Sequence, residues 1–557
     1  MDEALTRHPQ QVVGGEPPSP DTPVLPAEGY ARSTAVMAVG TTLSRVTGFL
    51  RVSALAYALG VVTVRADAYN VANNTPNIVF ELVLGGILTS VFVPVFVEWL
   101  GARGRDEAWE EARAVLSITT VVLSAIMIVT IVTAPWIVRL YTLNVRPGRL
   151  GPERALATFF LRWFMPQIVF YGLGAVATGL LNAHRRFAAP MFAPILNNLL
   201  VIGTMIAFAA MPGPTHHTVD AVTTAQRYVL AIGTTLGVVA MTVALWPSLR
   251  AIGFRFRWRM DWHSEAVRRI GKLAAWVFVY VLVNQLGLLQ IIVLSAGRTG
   301  FTAYLSAYTF FQLPHSIFTV SIMTALLPSL SAQWASADRA AFRGLLARGI
   351  RSTAFIVVPA ALGYIVLAQP IVRLLLQHGA TGVGGSDLVA DVLVYFALGL
   401  FSFSAFQLLL RAFYAMQDTR TPALVNVAAV ALNVVVNFVF FPFMGVRGLA
   451  LGNTVAYTFA SIWSVAILRR RLGGLEGRTI RRGIGQILVA SGATAGVAYA
   501  VSRVIGHAVS TSSIPGQAAQ VVGAVGAGVA VFLAAAWLLR IEDLAVLRTL
   551  LPGRTRR

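Results

Sequence analysis

Apolar runs of about twenty residues, the length that crosses a bilayer as helix, recur about fourteen times along the chain. They fall near 33–60, 70–100, 112–140, 155–181, 188–210, 227–249, 270–296, 301–334, 349–377, 385–415, 421–441, 449–468, 483–504 and 518–540. Short polar connections, mostly basic, separate them. This pattern predicts an all-α polytopic membrane protein of about fourteen transmembrane helices.

Several of these runs are interrupted by polar residues. In the first, SRVTGFLR places Arg45 and Arg51 inside a stretch long enough to span. On a helix the six-residue step turns the chain by about 600°, so the two guanidinium groups project about 120° apart and about 9 Å apart along the axis. Two charges so placed can border one cavity from different depths, and Gly48 between them admits a close neighbour. An ionisable side chain at membrane depth is costly and points to a functional site. The structural alternatives are snorkelling of Arg51 and an ion pair between Arg45 and Glu81. The second run opens with Arg65 and Asp67 and continues through NVANNTPN. Amides also lie at Asn197, Asn198, Asn284, Gln285, Gln290, Gln312, Gln407, Asn426, Asn433 and Asn437. A single one is explained by a hydrogen bond between helices; their number predicts a polar interior.

Composition sharpens the class. The 557 residues are 56% hydrophobic and 12% charged, and a mean hydropathy of +0.71 is far above that of a soluble chain. The net charge of +21 raises nucleic acid as a partner, but the arginines gather in alternate connections. With the N-terminus inside, the inner set holds Arg103, Arg105, Arg113, Arg185, Arg186, seven basic residues between Arg250 and Lys272, Arg339, Arg343, Arg348, Arg420 and six arginines between Arg469 and Arg482. The outer set is poorer. The positive-inside bias therefore predicts cytoplasmic termini, an even span count and no nucleic-acid partner. The chain has no cysteine, which removes disulfides and thiolate chemistry. Residues 1–32, rich in Pro, Gly and acid, read as a disordered cytoplasmic tail.

An internal repeat is visible when LLNAHRRFAAP from Leu180 is laid over AFYAMQDTRTP from Ala412, pairing Ala183 with Ala415 and Pro190 with Pro422. A weaker echo sets Thr75–Pro94 against Leu313–Pro328. Two pseudo-symmetric six-helix lobes follow, 33–249 and 270–468. A basic linker at 250–269 joins them, helices 13 and 14 at 469–540 are appended, and a basic tail occupies 541–557. Transporters built from such halves bind substrate at the interface.

Catalysis finds little support. The eight histidines show no metal-ligand spacing such as HExxH, and no Walker-type phosphate loop occurs. Gly85 and Gly86 read as helix-packing contacts. No cofactor is expected, and the class indicated is a transporter without its own ATPase.

The order and spacing of SRVTGFLR, ADAYNVANNTPN from Ala66, VFVPVF from Val91, GLLNAHRRFAAPMFAPILNN from Gly179, LLPSLS from Leu326 and FYAMQDTRTP from Phe413 resemble the MurJ (MviN) family. Its members are proposed lipid II flippases of the MOP exporter superfamily. The resemblance covers most of residues 33–540. It implies two lobes in a V around a cationic cavity, with helices 13 and 14 forming a groove for a polyprenyl tail. It also implies a bacterial inner-membrane location and lipid II, or a related polyprenyl-diphosphate precursor, as partner. Arg45 and Arg51 match the family's cavity arginines, and Asp67 and Asn77 match its second helix. With Asn74 and Glu81 they make up the expected substrate site. Two departures stand out: positions expected to be basic hold Phe80 and Thr309, and no acid lies between Gly271 and Ser295, where some members bind sodium. The competing readings are a polysaccharide-unit flippase, a MATE-type drug exporter and a non-transporting scaffold that recruits cell-wall synthesis or division proteins.

Overall fold

Helices follow the apolar runs almost one for one. The computed structural model describes residues 27–84, 96–98, 104–144, 147–212, 222–262, 265–296, 300–510 and 513–545. The first half comprises α1 (Ala27–Leu59), α2 (Val64–Leu84), α3 (Arg105–Tyr141), α4 (Pro147–Phe164), α5 (Gln167–Ala183), α6 (Ala188–Ala210), α7 (Thr224–Val243) and the short α8 (Trp246–Ala251). The second comprises α9 (Glu265–Ala296), α10 (Phe301–Pro314), a π-helical turn (His315–Thr319), α11 (Val320–Ala335), α12 (Arg339–Leu376), α13 (Val383–Ala397), α14 (Leu400–Ala415), α15 (Arg420–Met444) and α16 (Val446–Leu472). The described residues end with α17 (Gly477–Ala508), α18 (Ile514–Leu538) and a 3-10 turn (Glu542–Ala545). Among the described residues ten helical segments are long and apolar enough to cross a membrane, or eleven when α13 and α14, bent by 49°, count as one. The expectation of about fourteen exceeds this number. The difference falls on α1 and α2, which carry the intramembrane charges, and on α9, whose described apolar part is only Val281–Ala296.

The boundaries also shift. Helix α1 begins at Ala27, inside the stretch expected to be a tail, and residues 1–26 lie outside the described residues. So do Gly85, Gly86, His216, His217 and most of VFVPVF. The expected linker is strapped onto the end of α3: Arg113 Nε donates to the Arg255 carbonyl at 2.9 Å, Arg259 N–H donates to Ser117 Oγ at 3.1 Å, and the Arg259 guanidinium pairs with Glu110 at 2.5 Å. The start of the expected C-terminal tail is docked too, with Glu542 3.0 Å from Arg351 and Asp543 accepting from Ser352 at 3.0 Å.

The repeat is realised bond for bond. Helices α5 and α14 end at Ala183 and Ala415, and the next residues but one, Arg185 and Gln417, are left-handed at φ 57° and 59°. Arg186 N–H then reaches Leu181 O at 2.8 Å, and Asp418 N–H reaches Phe413 O at 2.9 Å, the same six-to-one closure of a helix C-terminus. Each turn delivers the chain into a helix opened near a proline, α6 and α15. The lobes also share a tie from the third helix to the connection after the sixth: Arg105 donates to the Ile252 carbonyl and Arg343 donates to the Leu472 carbonyl at 3.4 Å.

The buried amides mostly join helices rather than line a cavity. Asn426 donates to Asn284 Oδ1 at 3.3 Å. Asn437 donates to Gln290 and to Asn433, each at 3.0 Å, and Gln290 donates to the Val434 carbonyl at 3.0 Å, closing a ladder between α9 and α15. Asn198 does the same between α6 and α1, donating to Thr47 Oγ1 at 3.1 Å and to the Ser44 carbonyl at 3.2 Å. A Cβ at Gly48 would stand 3.5 Å from Asn198, so this glycine faces α6. For these residues helix pairing, not a polar interior, accounts for their presence, because an amide in hydrocarbon must find a partner.

Candidate functional site

The site is built on the turn between α1 and α2, at what the arginine bias marks as the outer end. Gly60 takes φ 81°, a conformation that costs glycine little. Thr63 then caps α2, its Oγ1 accepting Ala66 N–H at 3.1 Å. Arg65 folds back and donates to the Leu59 and Ala58 carbonyls, each at 3.1 Å, placing its charge on the carbonyl end of α1.

Two ties join the lobes here. Helix α10 starts after Gly300, which has no side chain to cap it, and the cap comes from the other lobe. The buried Asp67 of α2 accepts Thr302 N–H at 2.8 Å and Thr302 Oγ1–H at 2.6 Å through Oδ1, and Phe301 N–H at 3.3 Å through Oδ2. Asn70 adds a bond to Thr302 Oγ1 at 3.1 Å. An anion at a helix N-terminus meets both the free N–H groups and the positive end of the helix dipole. The second tie runs from the α12–α13 connection to α1: Ala380 N–H donates to Tyr57 O at 2.8 Å and Thr381 Oγ1 donates to Ala56 O at 2.7 Å. One apolar cluster continues across the junction, with Ala56, Val61, Val71 and Tyr141 packed with Phe301, Phe311 and Phe396. The lobes are therefore closed on each other at this end.

Depth below this seal follows from a helix rise of about 1.5 Å per residue. Arg51 lies about 12 Å below the end of α1 and Arg45 about 21 Å below it, while Asn77 on α2 and His315 after α10 lie at about 20 Å. Between the arginines Phe49 meets Phe310 of the other lobe edge to face, ring centroids 5.0 Å apart. Arg45 is exposed and Arg51 half-buried. Among the described residues neither is within ion-pair distance of a carboxylate, and the alternative Arg45–Glu81 pair is not formed. Arg45 lies on the side of His315 in the second lobe, and Arg51 on the side of Tyr171 and Tyr69 in the first. His315 Nδ1 is 3.0 Å from Ser404 Oγ, and Tyr171 Oη donates to Gln167 Oε1 at 3.3 Å.

The other expected residues divide. Asn77 and Glu81 are exposed on α2. Asn74 spends its amide on the Asn70 carbonyl one turn away, at 3.0 Å. Asp67, sealed in its cap, is not placed beside Arg45. Phe80 packs against Tyr171 at 5.8 Å, and Thr309 donates to the Leu305 carbonyl at 2.9 Å. Sequence reasoning missed Tyr171, His315 and Ser404 as members of the site. For His315 the signal was present, since it follows Pro314 in the weaker echo of the repeat, and the π turn there swings it inward.

Beside the site, an apolar groove of about 380 Å³ runs between Phe318, Phe355 and Tyr364 on one side and Thr494, Gly528 and Phe532 of α17 and α18 on the other. Among the described residues no three His, Asp or Glu side chains gather as a metal site would require. What the arrangement offers is two guanidinium groups at different depths with no carboxylate partner among the described residues, bordered by hydroxyl and amide groups, with an apolar channel alongside. Guanidinium forks bind phosphate oxygens in pairs and keep their charge at any physiological pH.

A family model described as "Lipid II flippase MurJ" matches residues 55–518. The chain belongs to that family. It is 28% identical over 515 residues to the probable lipid II flippase MurJ of Rhizobium meliloti, covering 91% of this chain and 94% of that protein. To the lipid II flippase MurJ of Burkholderia cenocepacia it is 29% identical over 439 residues, covering 77% and 82%. Among solved structures, a lipid II flippase MurJ in an inward closed conformation superimposes with a TM-score of 0.73 at 20% identity, covering 92% of this chain and 99% of that one. An inward-facing MATE transporter of the MOP superfamily superimposes with 0.65 at 15% identity, covering 78% and 96%. The family's two-lobed fold thus carries the features described above, and membership does not favour the drug-exporter, polysaccharide-flippase or scaffold readings.

Proposed function

We propose that this chain carries lipid II from the cytoplasmic to the outer face of a bacterial inner membrane by alternating access, with both termini in the cytoplasm. The observation that carries the reading is the pair of arginines, Arg45 and Arg51, that have no carboxylate partner among the described residues and lie beneath the end at which the two lobes are tied together. The diphosphate enters from the inner side and meets Arg45 first, with His315, Ser404 and Asn77 at the same level. Passing the Phe49–Phe310 contact brings it to Arg51. The prenyl tail stays in lipid or in the apolar groove of α17 and α18. Asp67 acts as the latch of the outer seal rather than as a ligand. Separating the lobes at that seal breaks its bonds to Phe301 and Thr302 and opens the cavity outward. Arg45 and Arg51 supply the positive charge without basic residues at Phe80 and Thr309.

The test is depletion of the protein in its host, with lipid II exposed on the outer face measured and wild type, Arg45→Ala, Arg51→Ala and the double variant used for complementation. The expected result is loss of exposure on depletion and failure of the double variant to restore it. Unchanged exposure in a host without a second flippase would overturn the flippase reading. Full rescue by the double variant would overturn the site.

A further inference from the structure

The two halves differ where each lobe meets the segment that follows its sixth helix. In the first lobe the crevice between α3, α5 and α7 is small, about 320 Å³, and is lined by Leu116, Leu173, Leu180 and Thr242 with Trp246 and Phe254 set across it; no arginine lines it. In the second lobe the corresponding crevice, between α12, α14 and α16, is covered by α17 and measures about 740 Å³. Its inner mouth carries Arg469 on α16 and Arg478 and Arg481 on α17.

Below the mouth the wall is apolar, formed by Phe401, Ala405, Ile462, Val465 and Ile484. The hydroxyls along it are occupied: Ser461 donates to the Ser402 carbonyl at 2.7 Å, and Thr458 donates to Ser402 Oγ at 3.0 Å. The depth therefore suits a hydrocarbon chain and not a polar molecule. Ile462 is 65% exposed, so the wall is open toward lipid. At the mouth the three arginines are exposed and, among the described residues, none pairs with a carboxylate. Among the described residues Glu476 is the one acid lining the crevice, which leaves an excess of positive charge there. It lies in the tight loop from Gly473 to Glu476 that holds α16 and α17 together, with left-handed or extended positive φ at Gly473, Gly474 and Glu476.

We propose that this crevice binds an anionic glycerophospholipid, its phosphate on Arg469, Arg478 and Arg481 and an acyl chain along the wall between α16 and α17. A basic pocket between transmembrane helices at the charge-rich face is the arrangement that selects acidic head groups, and arginine is the side chain suited to phosphate oxygens. The groove assigned to the prenyl tail is lined by other residues, Thr494, Gly528 and Phe532 among them. The lipid site is thus separate from the transport path and does not depend on the reading of Arg45 and Arg51.

The test reconstitutes the full chain in phosphatidylcholine vesicles containing a small fraction of phosphatidylglycerol with a photoactivatable diazirine midway along one acyl chain, in both leaflets. After irradiation the labelled peptides are mapped. The expected result is labelling at Ile462, Val465 and Ile484 that excess unlabelled phosphatidylglycerol suppresses. In a variant combining R469Q, R478Q and R481Q it falls roughly tenfold or more. Arg470, Arg471 and Arg482 remain in that variant to keep the connection basic, and an unchanged melting temperature shows that it is folded. Equal labelling by a diazirine phosphatidylcholine, or labelling indifferent to the three substitutions, would overturn the proposal by showing contact with bulk lipid only. Stronger suppression by undecaprenyl diphosphate than by phosphatidylglycerol would overturn it in favour of the transported lipid.

Discussion

Two groups of polar side chains sit at membrane depth and do opposite things. Between α9 and α15, Asn284, Gln290, Asn426, Asn433 and Asn437 bond one another and are inward-facing parts of the framework. On α1, Arg45 and Arg51 have no carboxylate partner among the described residues. In sequence the two groups look alike, as interruptions of an apolar run. The difference lies in whether the neighbouring helix returns a partner. A polar group that is answered stabilises the fold, and one left unanswered beside a cavity is available to a ligand.

The comparison is broken most forcefully at the arginines. Replacing Arg45 or Arg51 by alanine is expected to weaken binding of undecaprenyl diphosphate by roughly ten- to a hundredfold each, since a hydrogen bond to a charged group contributes about 1.5–3 kcal/mol. Binding isotherms in detergent would measure this, with the melting temperature unchanged. Lysine at either position should recover only part of the affinity, because it lacks the planar fork. Equal affinity for wild type and alanine variants would place the two residues in the framework class.

A smaller effect is expected at the latch. Asp67→Ala leaves the N–H groups of Phe301 and Thr302 without their cap, a loss of about 1–2 kcal/mol, which would shift the closed-to-open balance of the outer end by roughly five- to thirtyfold. The chain has no cysteine, so spin labels on Val62→Cys and Val383→Cys report this end alone, and their distance distribution should gain a longer component. If it does not, the latch is structural only.

The amide ladder should respond in the opposite sense to the arginines. Asn437→Leu removes bonds to Gln290 and Asn433 and is expected to cost roughly 0.6–2 kcal/mol of stability, read as a lower melting temperature with ligand affinity retained. The smallest effect concerns the connection after α14. There burial of Asp418 pushes its carboxyl upward, but hydrogen bonds from Thr421 and the Arg471 guanidinium outweigh this and hold it below the usual value of 3.8. A depressed folded value means that its contribution is present at neutral pH and is lost as pH falls from about 3.8 through the folded value. Asp418→Asn should therefore melt lower than wild type at pH 7, with the gap narrowing in acid.

Much was legible before any coordinates. The apolar runs located the helices because a bilayer demands a fixed length of hydrocarbon-compatible helix. The repeat was legible in Ala183, Ala415, Pro190 and Pro422 because the same turn needs similar residues at the same offsets. Arg45 and Arg51 stood out because charge at that depth is rare. Other features were not legible. That Asp67 caps α10 across 235 residues of chain, that Phe49 between the arginines meets Phe310 of the other lobe, and that Asn437 answers Gln290 all depend on which helices become neighbours. Local pattern fixes helix length and face, since both follow from properties of successive residues. Partners are set by packing between distant segments, and only the tertiary structure decided which polar groups were satisfied and which were left for a ligand.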